Sequence, residues 1–225
     1  MKFTWIKFSY FYLALYALGI FSLGFGVALF AEANLGVAPW DTAILNFQSL
    51  MASHGIAITL GTSSLMHTSI LLILVLALGK RIESLFAILP MVGISLSIDF
   101  WSVLVLPAFI HEPLNLTMQI LFFISATLLM TWGLATMIIS GFPPNVYDDF
   151  HLTILRVFKM KSFTLGRWII EFMGVALGLI YALIQGDGLG SITILSFALA
   201  IAFGSLITMF VSVYRNLKLV NRELK

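Results

Sequence analysis

The twelve Lys and Arg residues of this chain fall at alternate gaps between its hydrophobic stretches, and the intervening gaps hold none. A transmembrane helix needs about 20 apolar residues, and the sequence holds six runs of that order. They are Phe8 to Phe30, Leu60 to Leu78, Ser84 to Ile110, Leu116 to Ile139, Leu165 to Ile184 and Ile192 to Val213. Lys2 and Lys7 precede the first run, and Lys80 and Arg81 separate the second from the third. Arg156, Lys159, Lys161 and Arg167 separate the fourth from the fifth, and Arg215, Lys218, Arg222 and Lys225 follow the sixth. Basic residues are retained on the cytoplasmic side, so the partition predicts six spans with both termini cytoplasmic.

The composition agrees with a chain whose solvent is mostly lipid: 60% of its residues are apolar, 10% are charged, and the mean hydropathy is +1.06. The longest polar gaps, Glu32 to Thr59 and Ser140 to Thr164, are too apolar to fold alone, which predicts one integral domain over residues 1–225. The basic residues lie along one membrane face without aromatic stacking platforms, so they do not read as a nucleic-acid surface. With no cysteine, thiol catalysis, disulfides and thiolate metal sites are excluded. Met1, Lys2 and Lys7 ahead of a run ending Ala31-Glu32-Ala33 imitate a secretory signal. The run exceeds the 7 to 15 residues of a signal's apolar region, and the expectation is a retained first span.

An internal repeat at an offset of 105 residues organises the chain. Leu35-Gly36-Val37-Ala38-Pro39 aligns with Ser140-Gly141-Phe142-Pro143-Pro144, and Thr59-Leu60-Gly61 aligns with Thr164-Leu165-Gly166. In each half a long helix ends in a Gly-x-x-Pro turn, a short amphipathic stretch follows, and Thr-Leu-Gly opens two more helices. Each half (about 8–110 and 116–213) thus holds three spans. Because three is odd, the second half must enter the membrane from the opposite side. The expected fold is therefore an all-α polytopic bundle of six transmembrane helices in two inverted three-helix repeats, an arrangement found in many secondary transporters.

The stretches after the two Pro-containing turns are too short to span. Ile44, Leu45, Phe47, Leu50 and Met51 recur in rough helical period against Asn46, Gln48 and Ser49, as do Tyr147, Phe150, Ile154 and Phe158 against Asp149, Arg156 and Lys159. Counting them as full spans would drag Arg156, Lys159 and Lys161 into lipid, at about 2.5 to 3.5 kcal/mol per charge. Each stretch reads instead as a re-entrant or interfacial half-helix. Both open with capping chemistry: Pro39-Trp40-Asp41 in one, Pro144-Asn145-Val146-Tyr147-Asp148 in the other. Asp41, and either Asn145 or Asp148, can cap a first turn without any ligand. The same residues can instead form a binding site at two converging helix starts, lined by Trp40 and Tyr147.

The segment Leu35-Gly36-Val37-Ala38-Pro39-Trp40-Asp41, the pair Gly61-Thr62 and the repeated three-helix layout resemble the YczE/YyaS/YitT group of small bacterial integral membrane proteins. The resemblance covers nearly the whole chain. Members of that group often carry a Leu-Gly-x-x-Pro-Trp-Asp-like segment after the first helix, whereas the second copy here spaces Pro and Asp differently. The resemblance implies a bacterial inner-membrane location and names no substrate.

Ionisable residues within spans are costly unless they face protein or a cavity. Glu171 in span five, His67 in span two and Asp99 in span three are the candidates. His67 and Asp99 share the outer depth and could pair, while Glu171 could form an i−4 ion pair with Arg167. A histidine bonded inside the bundle is the simpler reading of His67. Gly174, Gly178 and Ala182 in span five, and Ala198, Ala200, Ala202 and Gly204 in span six, read as close-packing positions. No Walker loop, His-Glu-x-x-His, Gly-x-Ser-x-Gly or dinucleotide fingerprint is present, and the histidines at 54, 67, 111 and 151 lack ligand spacing. Gly186-Asp187-Gly188-Leu189-Gly190 reads as an external turn rather than a phosphate loop.

The resulting expectation is a small secondary transporter or permease component for a polar metabolite, without cofactor or metal. Trp40, Asp41, Asn145, Tyr147, Asp148, His67, Asp99 and Glu171 are the candidate binding residues. Its expected partners are the bilayer, a small polar substrate and a membrane partner protein. The alternative is a scaffold that binds such a partner, with the same residues serving as caps and packing contacts. An intramembrane enzyme would require His67 and Asp99 as an acid–base pair.

Overall fold

A computed structural model describes residues 9–220, so Lys2, Lys7, Arg222, Lys225 and the start of the first expected span lie outside the described residues. Among the described residues nine α-helices run in the order α1 (Tyr10–Ala33), α2 (Pro39–Ser53), α3 (Leu60–Gly79), α4 (Ile88–Asp99), α5 (Leu106–Phe109), α6 (Leu116–Ser140), α7 (Val146–Val157), α8 (Phe163–Gln185) and α9 (Ile194–Asn216). No strand occurs among the described residues. A 3-10 turn, Ile82–Ala87, leads into α4, and a π-helical segment, Phe100–Val105, joins α4 to α5, so that Ile82–Phe109 forms one continuous rod. Among the described residues six helices are long and apolar enough to cross a membrane: Tyr10–Ala33, Leu60–Gly79, Ile82–Phe109, Leu116–Ser140, Leu165–Gln185 and Ile194–Asn216. These match the six expected runs to within a few residues. Their outward faces carry Ile73, Leu96, Leu104, Phe109, Leu121 and Ile201, as lipid-facing surfaces should.

The two halves repeat the same order: a long helix (α1 or α6), a short one (α2 or α7), then two long ones. Contacts repeat as well. Where α1 packs on α4, α6 packs on α9, and where α2 packs on α8, α7 packs on α3. The short helix of each half therefore lies against the other half. At the centre α1 and α6 cross antiparallel. Ser22 Oγ donates to Leu129 O at 2.9 Å, Gly19 abuts Gly133, and Gly26 abuts Met130 and Ala126. Glycine at these positions lets the two backbones approach closely.

At 1.5 Å per residue, α2 and α7 are about 22 Å and 18 Å long, short of a hydrocarbon core. Both are held inside the protein. α2 runs along α8, where Thr42 sits against Gly178 and Asn46 Nδ2 donates to Gly178 O at 2.9 Å. The turn after α8 closes on the middle of α2, because Ser191 N donates to Asn46 Oδ1 at 2.8 Å. The reading of Gly174 and Gly178 as packing positions within the chain thus holds. Gly204 differs, since nothing lies within 4 Å of the position a Cβ would take there. The approach to α2 needs Gly36, whose φ of 127° suits only glycine, and is tied to α9 by Thr193 Oγ1 donating to Leu35 O at 2.9 Å.

Candidate functional site

The two short helices begin at the same place. Trp40 and Tyr147 are each the second residue of their helix, and their rings meet with centroids 4.9 Å apart. Asp41 and Asp148 are each the third residue. The structural offset here is thus 107 residues rather than 105, because the second copy uses Pro144 and Asn145 before its helix starts. That slip accounts for the different Pro-to-Asp spacing and makes Asp148 the counterpart of Asp41.

Around this junction lies a cavity of about 70 Å³. Its polar wall is built by Trp40, Asp41, Ser64, Asn145, Tyr147, Asp148, Arg167 and Glu171, and its apolar wall by residues of α1, α4, α6 and α9, among them Leu23, Ile98, Leu134 and Phe203. Six of the eight residues singled out in the sequence come together there. The space suffices for a few ordered waters or a compact solute.

His67 and Asp99 do not join them, and they do not pair. Both Asp99 oxygens are engaged at the start of α3, accepting from Gly61 N at 2.7 Å and from Thr59 Oγ1 at 2.7 Å. Thr59 is itself the cap of that helix, accepting from Thr62 N. Asp99 therefore acts as a second cap brought from α4, and the juxtaposition required of an acid–base pair is missing. His67 is buried, with Nδ1 3.0 Å from Ser63 O and its ring edge-on to Phe47 and Tyr181. Its Nε2 is without a hydrogen-bond partner.

The capping expectation also divides. Asn145 caps α7, its side chain accepting from Tyr147 N at 3.4 Å. At α2 the cap position is held by Ala38, and no side chain caps the helix. Asp41 sits inside the first turn, 5% exposed, with Oδ2 unbonded. The capping role is thus closed for Asp41, although a carboxylate in the first turn still faces the positive end of the helix.

Arg167 is the residue that sequence reasoning misplaced. Counted among the basic residues of a cytoplasmic gap, it lies instead on α8 with its side chain only 15% exposed. Its Nη1 donates to Asp148 Oδ1 at 2.7 Å, and its Nε lies 2.7 Å from Glu171 Oε1, an ion pair with the N–H off axis. The i−4 pairing of Glu171 with Arg167 is present, but buried rather than exposed. The available signal was spacing: Arg167 stands one helical turn before Glu171, inside the fifth apolar run.

The junction leaves several groups unanswered. Trp40 Nε1, Asp41 Oδ2 and Tyr147 Oη have no hydrogen-bond partner, although all three are buried atoms. Leaving a buried polar group unpaired costs about 1–3 kcal/mol, so an arrangement with three such groups around one cavity favours any occupant that supplies partners.

Fold and cavity together define a six-span helical membrane protein with a polar centre. The chain belongs to a family of unknown function, DUF6198, whose match covers residues 11–212. No curated protein matches the chain, and no solved structure matches it.

Proposed function

We propose that the chain is a small secondary transporter or permease component of the bacterial cytoplasmic membrane, and that the central cavity receives a small polar metabolite. The observation that carries this reading is the meeting of two half-helix starts, one from each half, over a cavity whose polar wall leaves Trp40 Nε1, Asp41 Oδ2 and Tyr147 Oη unbonded. Discontinuous helices aiming their ends at a central site are a recurring transporter device. The antiparallel crossing of α1 with its counterpart α6, together with reciprocal contacts throughout, supports an inverted repeat. The Lys and Arg partition supports cytoplasmic termini. Likeness to the YczE/YyaS/YitT group rests on the Leu35 to Asp41 segment, the Gly61-Thr62 pair and the repeated three-helix layout, and is neutral as to substrate. An enzymatic role lacks support, because its one candidate pair is apart.

A scaffold role draws on one feature. On α9, Ala198 and Ser205 are exposed and Gly204 faces open space, a small-residue strip that a partner helix could cover.

Two experiments separate these readings. Single cysteines introduced into this cysteine-free chain at Lys80 and Lys159 should label from inside, and those at Ser53 and Asp187 from outside. External labelling at Lys80 contradicts the inverted topology. Protein reconstituted in liposomes should accumulate solutes from a radiolabelled pool of small polar metabolites, and Asp41→Asn or Glu171→Gln should abolish that uptake. Protein-free rates in every case would favour the scaffold.

A further inference from the structure

We infer that the central cavity selects a small monocation carrying both N–H donors and an acceptor oxygen, such as an amino alcohol or an amino amide. The inference deepens the transport reading and rests on the same cavity.

Charge sets the sign of the ligand. Asp41, Asp148 and Glu171 contribute three carboxylates to the cavity wall, and Arg167 contributes the single guanidinium. Two helix starts add a positive end of about half a charge each. With all three carboxylates ionised, the wall carries about one negative charge in excess. Asp149, also in the first turn of α7, lines a separate small pocket with Arg81 and Glu83 and does not enter this balance. Arg167 is paired with Asp148 and Glu171, which leaves Asp41, whose buried Oδ2 is unbonded, as the cavity carboxylate with no ion-pair partner among the described residues.

Hydrogen-bond complementarity sets the rest. Asp41 is 5% and Trp40 8% exposed, and both residues line the cavity. Asp41 Oδ2, when ionised, can only accept, Trp40 Nε1 can only donate, and Tyr147 Oη can do either. An ammonium group meets Asp41, and an oxygen on the same molecule meets the indole N–H. The aromatic rings of Trp40 and Tyr147, both residues of the cavity wall, favour a cation beside them. Among the described residues no three His, Cys, Asp or Glu side chains converge as a metal site, which favours an organic cation over a coordinated ion. A zwitterion such as an amino acid brings no net charge and leaves the excess in place.

The test uses isosteric probes that differ in charge. Glycinamide and ethanolamine are monocations with an oxygen acceptor, glycine is a zwitterion and acetate an anion. Binding to the purified full-length protein in nanodiscs is read by calorimetry and by the shift in Tm. Glycinamide and ethanolamine should bind at least tenfold more tightly than glycine or acetate, and Asp41→Asn should erase that preference while Tyr147→Phe weakens it. If glycine or acetate binds as well as glycinamide, the inferred ligand class is wrong while a transport role survives. If no probe binds, the excess charge is met by a proton and the inference fails. Flux in liposomes is scored separately. Glycinamide binding that depends on Asp41 but produces no counterflow keeps the ligand class and removes the transport reading.

Discussion

The starts of α2 and α7 are the same construction finished in two ways. Each places an aromatic residue second and an aspartate third, and the aromatic rings touch across the junction. In α7 Asn145 caps the helix and Asp148 is bonded to Arg167, while the Tyr147 hydroxyl is unbonded. In α2 the cap position is an alanine, Trp40 Nε1 is unbonded and Asp41 retains a free oxygen. A repeat supplies two equivalent positions, and here one copy serves the protein's own structure while the other stays available to an occupant. The difference teaches which side of the junction to disturb in order to unfold the protein and which in order to empty it.

The largest effect is expected on the closed side. Arg167→Ala strands Asp148 and Glu171 in the interior, and breaking a buried ion pair in this way costs about 3–5 kcal/mol. Denaturant unfolding in detergent should show that loss, and adding Asp148→Asn with Glu171→Gln should recover most of it. A near-neutral Arg167→Ala would mean that α7 is no more closed than α2. Next in size is the seat of α2. A Cβ at Gly178 would meet the Thr42 carbonyl carbon at 2.9 Å and Ala43 N at 3.0 Å, so Gly178→Ala should cost about 1–3 kcal/mol of overpacking. Gly204→Ala, with open space around it, should be neutral or stabilising by up to about 1 kcal/mol in the same assay. Smaller again is the cap: Asn145→Ala should lower stability by about 1 kcal/mol. If it has no effect, the contrast between the two helix starts rests on Arg167 alone.

How far the sequence reveals this arrangement follows from what each signal depends on. The six spans were legible because burial in lipid demands an unbroken apolar run, and their ends agree with α1, α3, the Ile82–Phe109 rod, α6, α8 and α9. The short helices were legible from Pro39 and Pro144 followed by amphipathic stretches too short to cross. The meeting of Trp40, Asp41, Asn145, Tyr147 and Asp148 followed from treating equivalent positions as neighbours, which an inverted arrangement of halves would produce, whereas Glu171 was singled out as an ionisable residue inside a span. Three features escaped. Asp99 looked like a membrane-buried acid because capping of α3 from another helix leaves no mark in local spacing. Arg167 looked topological, since a basic residue near the end of a span reads the same whether it points to water or to a carboxylate. The π-helical segment after Asp99 is a change of hydrogen-bond register inside a continuous apolar run, invisible to periodicity.

The decisive measurement is Asp41→Asn, read for stability and for ligand binding in one preparation. Asn keeps the shape and removes a buried charge that has no full set of partners and caps nothing, so Tm in detergent should stay unchanged or rise. Binding of glycinamide and uptake into liposomes should fall at least tenfold. An Asp41→Asn protein that loses stability and function in proportion, or keeps both, would contradict the assignment of the α2 start as the open half of a solute site.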